Sequence, residues 1–204
     1  MRAFSRYAKR GFTLVELMIV VAIIGVLAAL AIFGVNRYLK SAKTSEAKNS
    51  VGRIARGAQE AYEREANSQE MVALGNTSAA ASHALCLSSS PVPMDNSVPA
   101  SRKYVPENIP DKDFNTGTAS IGWKCLRFDM NDPIYYSYHY QKDGAYYGPT
   151  NGAAAIGTNG FEAAARGDLD ADNVTSIFTL SGQVESTTGT LNRSTQVFIY
   201  EEFE

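Results

Sequence analysis

An uncharged run of 19 residues, 17–35, constrains the fold of this chain more than any other feature. As a helix the run would be about 28 Å long, and the hydrocarbon core of a bilayer is about 30 Å thick. A secretory signal peptide has a shorter apolar region, of about 7–15 residues, followed by a cleavage site with small residues. The run therefore predicts a membrane-spanning helix that the protein retains.

Charge is unevenly placed around this run. Four basic residues and no acidic residue lie among the first ten, which predicts a cytoplasmic N-terminus and places everything after residue 35 outside the cytoplasm. Removing residues 1–11 would leave 15 basic and 21 acidic residues, a formal charge of −6. A body of this sign does not favour nucleic acid as a partner.

The helical pattern continues beyond the apolar run. Apolar or small residues recur at steps of three, four or five between residues 39 and 62, and the first proline is Pro91. We expect one helix from Phe12 to about Glu65, apolar on all sides over 12–35 and amphipathic over 36–65. The first half has nothing of its own to be buried against. It requires lipid or other copies of itself.

Glu16 is a charged residue at the boundary of the apolar run, in the sequence GFTLVELMIV. A carboxylate in or near a bilayer is energetically costly and usually has a partner. The local pattern leaves two interpretations open. Glu16 is either an interfacial residue just outside the hydrocarbon core or a buried charge that needs a cation from another chain.

The segment KRGFTLVELMIVVAIIGVLAALAI resembles the type IV pilins, with a basic leader, then Gly11, Phe12 and Glu16, then the apolar helix. The resemblance covers about residues 9–60 and is weaker in the head. It implies that a prepilin peptidase cuts between Gly11 and Phe12 and that the new amine of Phe12 is N-methylated. It also implies that Glu16 pairs with the Phe12 ammonium group of a neighbouring subunit in a homopolymer built by an inner-membrane assembly platform.

One position departs from the family pattern. Type IV pilins often have proline near the end of the apolar run, as Ala-Ile-Pro, and this chain has Phe33 after Ala31 and Ile32. Proline would kink or locally melt the helix. Without it, Gly34 and its neighbours up to Asn36 are where we expect any softening.

Residues 66–204 are expected to form a globular head, loop-rich over 66–120 and antiparallel β over 121–204. A short helix is predicted at about 79–87. Predicted turns lie at Asp143-Gly144 and Ser181-Gly182, and the chain ends in a predicted edge strand. A sheet laid across the amphipathic half of the long helix makes the fold class α+β. The predicted strands are 121–128, 134–140, 145–147, 161–166, 174–180, 183–187 and the residues from 196 onward.

The two cysteines, Cys86 and Cys125, are too few for a structural zinc site. They predict one disulfide if the head lies in an oxidising compartment, and two thiols otherwise. The N-terminal signals favour the disulfide.

The remaining candidate chemistry is sparse. Asp168, Asp170 and Asp172 have the spacing of the first three ligands of a calcium loop, but Asn173 and Thr179 replace the glycine and glutamate that such a loop needs. An acidic turn is favoured over a calcium site. The two histidines, His83 and His139, have no nucleophile beside them, and no nucleotide-binding or hydrolase motif is present. We expect no enzyme and no cofactor.

Six tyrosines between residues 135 and 147 are expected to serve core packing rather than recognition of sugars or other subunits. The interpretation that best fits the chain is the major subunit of a type IV pilus, for adhesion and twitching motility. The alternatives are a minor pilin, a type II secretion pseudopilin, or a membrane-tethered module that binds polysaccharide or DNA.

Overall fold

The computed structural model describes residues 11–64, 83–144, 147–148, 151–153 and 155–204. The chain divides into two compact units, Met1–Ser41 and Ala42–Glu204. Helix α1, Leu14–Glu63, supplies residues to both, and each unit is described by itself. The predicted long helix is confirmed, with bounds two residues inside those expected. It is unbroken at Gly34–Asn36, where softening was expected.

The first unit is the apolar part of α1. It contains a stretch with a mean hydropathy of 3.0, long and apolar enough to cross a membrane, and none of that stretch is buried by the chain itself. The side chains of the large apolar residues between 17 and 35 are 47% to 70% exposed. Nothing within the described chain covers this surface.

In the second unit α1 contributes one buried stripe to the core of the head. Val51, Ile54 and Ala58 are fully buried at steps of three and four, as expected for the inner face of an amphipathic helix. The helix approaches the rest of the head closely at Gly57. A Cβ atom added there would lie 2.4 Å from the backbone oxygen of Leu126.

The sheet is antiparallel, and strands β1 to β4 are neighbours in chain order. Strand β5 returns to pair with β3, where it covers Ile177–Thr179, while β4 covers Gly182–Val184. The outer edge of β1 is covered by the chain around Val92, which pairs with Tyr138. The strands are β1 Ser137–Lys142, β2 Gly160–Gly167, β3 Ser176–Val184, β4 Leu191–Arg193 and β5 Phe198–Tyr200.

Both faces of β2 are buried. Phe161, Ala163 and Ala165 share one apolar core with the inner stripe of α1. Ala164, on the opposite face, packs with Ile177 and with Tyr147 from the connection between β1 and β2. The predicted meander is therefore confirmed, and its second face is also covered.

The strand predicted at 121–128 is wrong. This segment forms a short helix α2, Gly122–Leu126, which buries Trp123, Cys125 and Leu126. It ends at Arg127, which adopts the left-handed conformation with φ 52°. A short apolar run fits a helical turn as well as a strand, and packing against the core decides between them.

The predicted helix at 79–87 is wrong over its described part. Residues 83–86 are irregular, and Leu87 makes an isolated bridge with Ile121. Residues 79–82 lie outside the described residues.

The predicted turn at Ser181-Gly182 is also wrong, because β3 continues through both residues to Val184. A Cβ atom at Gly182 would lie 2.4 Å from the ring of Phe161 on the neighbouring strand. This glycine therefore allows a close approach inside the sheet rather than a reversal of the chain. The strand predicted at 183–187 is accordingly the end of β3 and the turn after it.

The Asp143-Gly144 pair begins a long connection to β2 rather than a two-residue hairpin. The Asp143 amide donates to the backbone oxygen of Gly160, 2.9 Å away, at the other end of that connection. Of the strand predicted at 145–147, only Tyr147 is described, and it lies in a bend. The predicted C-terminal edge strand is confirmed as β5.

Candidate assembly site

The carboxylate of Glu16 lies at the beginning of α1, where Thr13 holds it. Glu16 Oε2 accepts hydrogen bonds from the Thr13 amide at 2.9 Å and from Thr13 Oγ1 at 2.6 Å. The Glu16 amide donates to Thr13 Oγ1 at 3.2 Å. This reciprocal arrangement is a capping box, in which residues three apart satisfy the amides at a helix start.

The capping box leaves part of the carboxylate available. An ionised carboxylate can accept about four hydrogen bonds, and the described contacts all use Oε2. Glu16 Oε1 accepts none from residues 11–64 or from the described parts of the head. The side chain is thus oriented by Thr13 and still able to accept a further donor.

Gly11 and Phe12 precede the helix, separated from it by Thr13, and have no regular secondary structure. Both are exposed, and the Phe12 side chain is 77% exposed. Nothing lies within 4 Å of the position that a Cβ atom would take at Gly11. The roles predicted for these two residues stay predictions, and residues 1–10 lie outside the described residues.

The predicted disulfide between Cys86 and Cys125 is present, with the two Cα atoms 5.9 Å apart. It links the irregular segment after residue 83 to α2. The Arg64 guanidinium, just beyond α1, donates to the Cys125 carbonyl oxygen at 2.5 Å. The bridge therefore lies where the end of α1, α2 and the loop-rich segment meet.

The three aspartates are close together, with a carboxylate oxygen of each within 4.8 Å of the others. Asp168 is buried and accepts from the amides of Ala171 at 2.6 Å and Asn173 at 3.1 Å. Asp172 accepts from the amide of Val174 at 2.7 Å. These bonds account for the turn without an ion, so calcium binding stays a prediction.

The two histidines lie in different surroundings. His83 Nδ1 is 2.9 Å from the Tyr62 carbonyl oxygen, and His83 itself is exposed. His139 is buried on β1, and burial lowers its pKa to about 4. Core packing is confirmed for the described tyrosines, because Tyr136, Tyr138, Tyr140 and Tyr147 are buried and Tyr135 is half-buried.

Two carboxylates that bind the backbone of the head were not predicted from the sequence, the half-buried Glu46 and the buried Glu162. Glu46 on α1 accepts from the Tyr135 amide and the Tyr138 hydroxyl, both at 3.1 Å, and burial raises its pKa. Glu162 on β2 accepts from the amides of Tyr147 at 2.9 Å and Gly148 at 3.0 Å. Thr13 was also missed, although the Thr-x-x-Glu spacing that signals a capping box is visible in the sequence.

The described chain thus combines a helix long and apolar enough to cross a membrane, a capped carboxylate at the start of that helix, and an antiparallel β head. Residues 6–32 match the family model of the prokaryotic N-terminal methylation motif. No solved structure matches the chain.

Three curated relatives are similar to a short part of this chain. The type IV major pilin protein PilA of Myxococcus xanthus is 60% identical over 42 residues, which are 21% of this chain and 19% of PilA. A fimbrial protein of Moraxella nonliquefaciens is 58% identical over 40 residues, 20% of this chain and 26% of the relative. The type IV major fimbrial protein FimA of Dichelobacter nodosus is 60% identical over 38 residues, 19% of this chain and 24% of FimA.

The chain is therefore similar to type IV pilins over a short segment that includes residues 6–32. The chain spans only 19% to 26% of the length of these relatives. The family-model match ends at residue 32, within α1, so the head must be interpreted from its own structure.

Proposed function

We propose that the chain is the precursor of a major type IV pilus subunit, which polymerises from the inner membrane into an extracellular filament for adhesion and twitching motility. The observation that carries the proposal is the apolar surface of α1 between residues 17 and 35, which the described chain leaves open. Lipid covers this surface in the membrane, and the same helix of other copies covers it in the filament. Solvent exposure of a patch this large would be unfavourable.

The precursor crosses the membrane once, with its basic N-terminus in the cytoplasm and its head outside. Prepilin peptidase cuts between Gly11 and Phe12, and the new amine of Phe12 is methylated. The motif matched by residues 6–32 supports this maturation. Cleavage removes four basic residues and leaves one ammonium group at the start of the helix.

Glu16 supplies the partner for that ammonium group. Thr13 holds Glu16 Oε2, and Oε1 accepts the Phe12 ammonium of a neighbouring subunit. A buried charge without a partner costs about 3–5 kcal/mol, so a subunit that is out of register is rejected. The pair determines register, while apolar contact along α1 provides most of the stability.

The test is mass spectrometry of filaments sheared from cells, reading the N-terminus and the abundance of this chain. We expect a dominant species that begins at methylated Phe12. A chain found only in membranes, with residues 1–11 attached, would contradict the proposal and leave a tethered single-pass protein. Such a protein would be the module that binds polysaccharide or DNA.

The same measurement separates the related alternatives. A processed chain that is scarce in sheared filaments would be a minor pilin or a type II secretion pseudopilin. The sheared fraction also gives the ratio of this chain to other pilins, which the N-terminal motif alone does not predict.

A further inference from the structure

A groove of about 490 Å³ lies on the head between the second half of α1 and the sheet. Lys48, Gly52 and Arg56 line it from the helix at successive steps of four residues. Leu191 and Arg193 of β4 line it from the opposite side. Among the described lining residues there are three cations and no carboxylate.

Two of these cations are available to a partner. Lys48 forms an ion pair with Glu202. Arg56 and Arg193 are exposed, and neither has an ion-pair partner among the described residues. The planar guanidinium group suits carboxylate recognition, because two of its N–H groups can donate to the two carboxylate oxygens.

Gly52 gives independent support for a bound partner. A glycine inside a helix costs about 1 kcal/mol relative to alanine, so it usually has a packing reason. At Gly57 that reason is the backbone of Leu126, but nothing lies within 4 Å of a Cβ atom added at Gly52. Within the described chain, no close packing contact requires glycine at position 52. Its missing side chain keeps the floor of the groove open.

The acidic turn, residues 168–173, has the complementary charge and a fixed shape. The buried Asp168 carboxylate holds the turn through the amides of Ala171 and Asn173. The Asp170 and Asp172 side chains are exposed. The turn and the groove are different surfaces of the same chain. A contact between the turn of one copy and the groove of the next is therefore head-to-tail, and it can continue along an open filament.

We propose that the groove binds the acidic turn of a second copy of this chain, with the Arg56 and Arg193 guanidinium groups donating hydrogen bonds to its carboxylates. This inference rests on the proposed filament, since only a polymer would repeat the contact. The apolar helices then hold the subunits together, and the groove and turn determine how neighbouring heads dock. Charge pairs of this kind contribute mainly to the specificity of an interface.

Disulfide trapping in filaments tests the contact directly. In the variant Asp172→Cys with Arg193→Cys, we expect covalent ladders of subunits on non-reducing gels of sheared filaments. The two native cysteines are already bonded to each other. The matched control is Asp172→Cys with Asp132→Cys, which moves the second thiol to another exposed site and should give no ladder. Filaments without a ladder from the groove variant, or equal ladders from both, would overturn the proposal.

If the cysteine variant does not assemble, exchange of the two charges tests the same contact. Arg193→Asp alone should reduce the sheared filament yield about fivefold, as expected for about 1 kcal/mol per contact. Adding Asp172→Arg in the same chain should restore the yield. A double variant as poor as the single one would contradict the contact. Absence of filaments from the wild-type chain would instead refute the filament function, which separates the two failures.

Discussion

The two halves of helix α1 have opposite surroundings. In the first, large apolar side chains are 47% to 70% exposed, while in the second Val51, Ile54 and Ala58 are fully buried against the head. Both halves belong to one helix of 50 residues. The difference shows that the second half is stabilised by its own chain, while the first depends on surroundings that the chain does not supply.

This comparison predicts that substitutions in the two halves have separable effects. A change near the beginning of α1 should affect assembly and leave the head intact. A change at the inner face of the second half should lower the free energy of unfolding of the head. Trp123, the one tryptophan and fully buried in the head, provides a fluorescence signal for that unfolding.

The largest effect is expected from Glu16→Ala. An unpaired buried ammonium group costs about 3–5 kcal/mol, so filament yield should fall by more than about 100-fold. Glu16→Gln is the matched control, since its amide oxygen can still accept from Thr13 but carries no charge. We expect Glu16→Gln to form few filaments as well. In both variants, urea unfolding of the head, followed by Trp123 fluorescence, should be unchanged. Normal filaments from Glu16→Gln would show that the charge is not needed.

Removal of the disulfide should affect the head by a comparable amount and spare membrane insertion. The cysteines are separated by 39 residues, for which the chain-entropy model gives roughly 3–4 kcal/mol. The double variant Cys86→Ser and Cys125→Ser should lose this much in urea unfolding of the full chain in detergent. Dithiothreitol added to the wild type is the control and should reproduce the loss. An unchanged midpoint in both would contradict a stabilising bridge.

His139 should make the head sensitive to acid. Its folded pKa of about 4 lies below the ordinary value of 6.5, so the unfolded chain binds the proton more readily. This contribution is fully present above pH 6.5 and is lost as pH falls towards 4, by up to roughly 3 kcal/mol. His139→Gln should flatten this part of the pH profile.

The matched control for that profile is His83→Gln, because His83 is exposed and carries the only other imidazole. Glu46 has the opposite effect, because its raised pKa favours folding as pH falls. Wild type and His139→Gln both contain Glu46, so its contribution cancels in the difference between their pH profiles. Equal slopes for wild type and His139→Gln between pH 6.5 and 4 would show that His139 is protonated in the folded head.

The smallest effect is a contrast between two glycines on one helix. Gly57→Ala should destabilise the head by about 1–3 kcal/mol, because its Cβ atom would lie 2.4 Å from the Leu126 carbonyl oxygen. Gly52→Ala should stabilise the head by about 0.5–1 kcal/mol, because its Cβ atom meets nothing. Urea unfolding measures both. Changes of the same sign would show that α1 and α2 do not pack as described.

Prediction from sequence was most successful where local pattern alone determines the structure. The long helix follows from its apolar run and the stripe after it, β2 follows from the alternation of its residues, and β5 follows from a run of strand-forming residues. Gly11, Phe12 and Glu16 were predicted as site residues because they lie in one contiguous motif, and their roles stay predictions. Thr13 belongs to the same motif and could have been found by its spacing from Glu16.

Prediction was poorer where distant parts of the chain decide the outcome. Residues 121–128 have strand-forming side chains but form α2, whose packing against Gly57 no local pattern reveals. Gly182 was predicted to lie in a turn. A glycine is needed there because the Phe161 ring lies close by on another strand, and the local sequence does not reveal that contact. Glu46 and Glu162 were missed for the same reason, since they bind amides 89 and 15 residues away.

The division of the edge of β3 between two short strands has a consequence for solubility. Strands β4 and β5 cover only three residues each. An uninterrupted strand edge can recruit an identical strand from another molecule, and short edge strands limit this risk. Heads tethered side by side would experience a very high local concentration of one another. In the proposed filament, the interrupted edge would protect crowded heads from fusing into continuous intermolecular sheets.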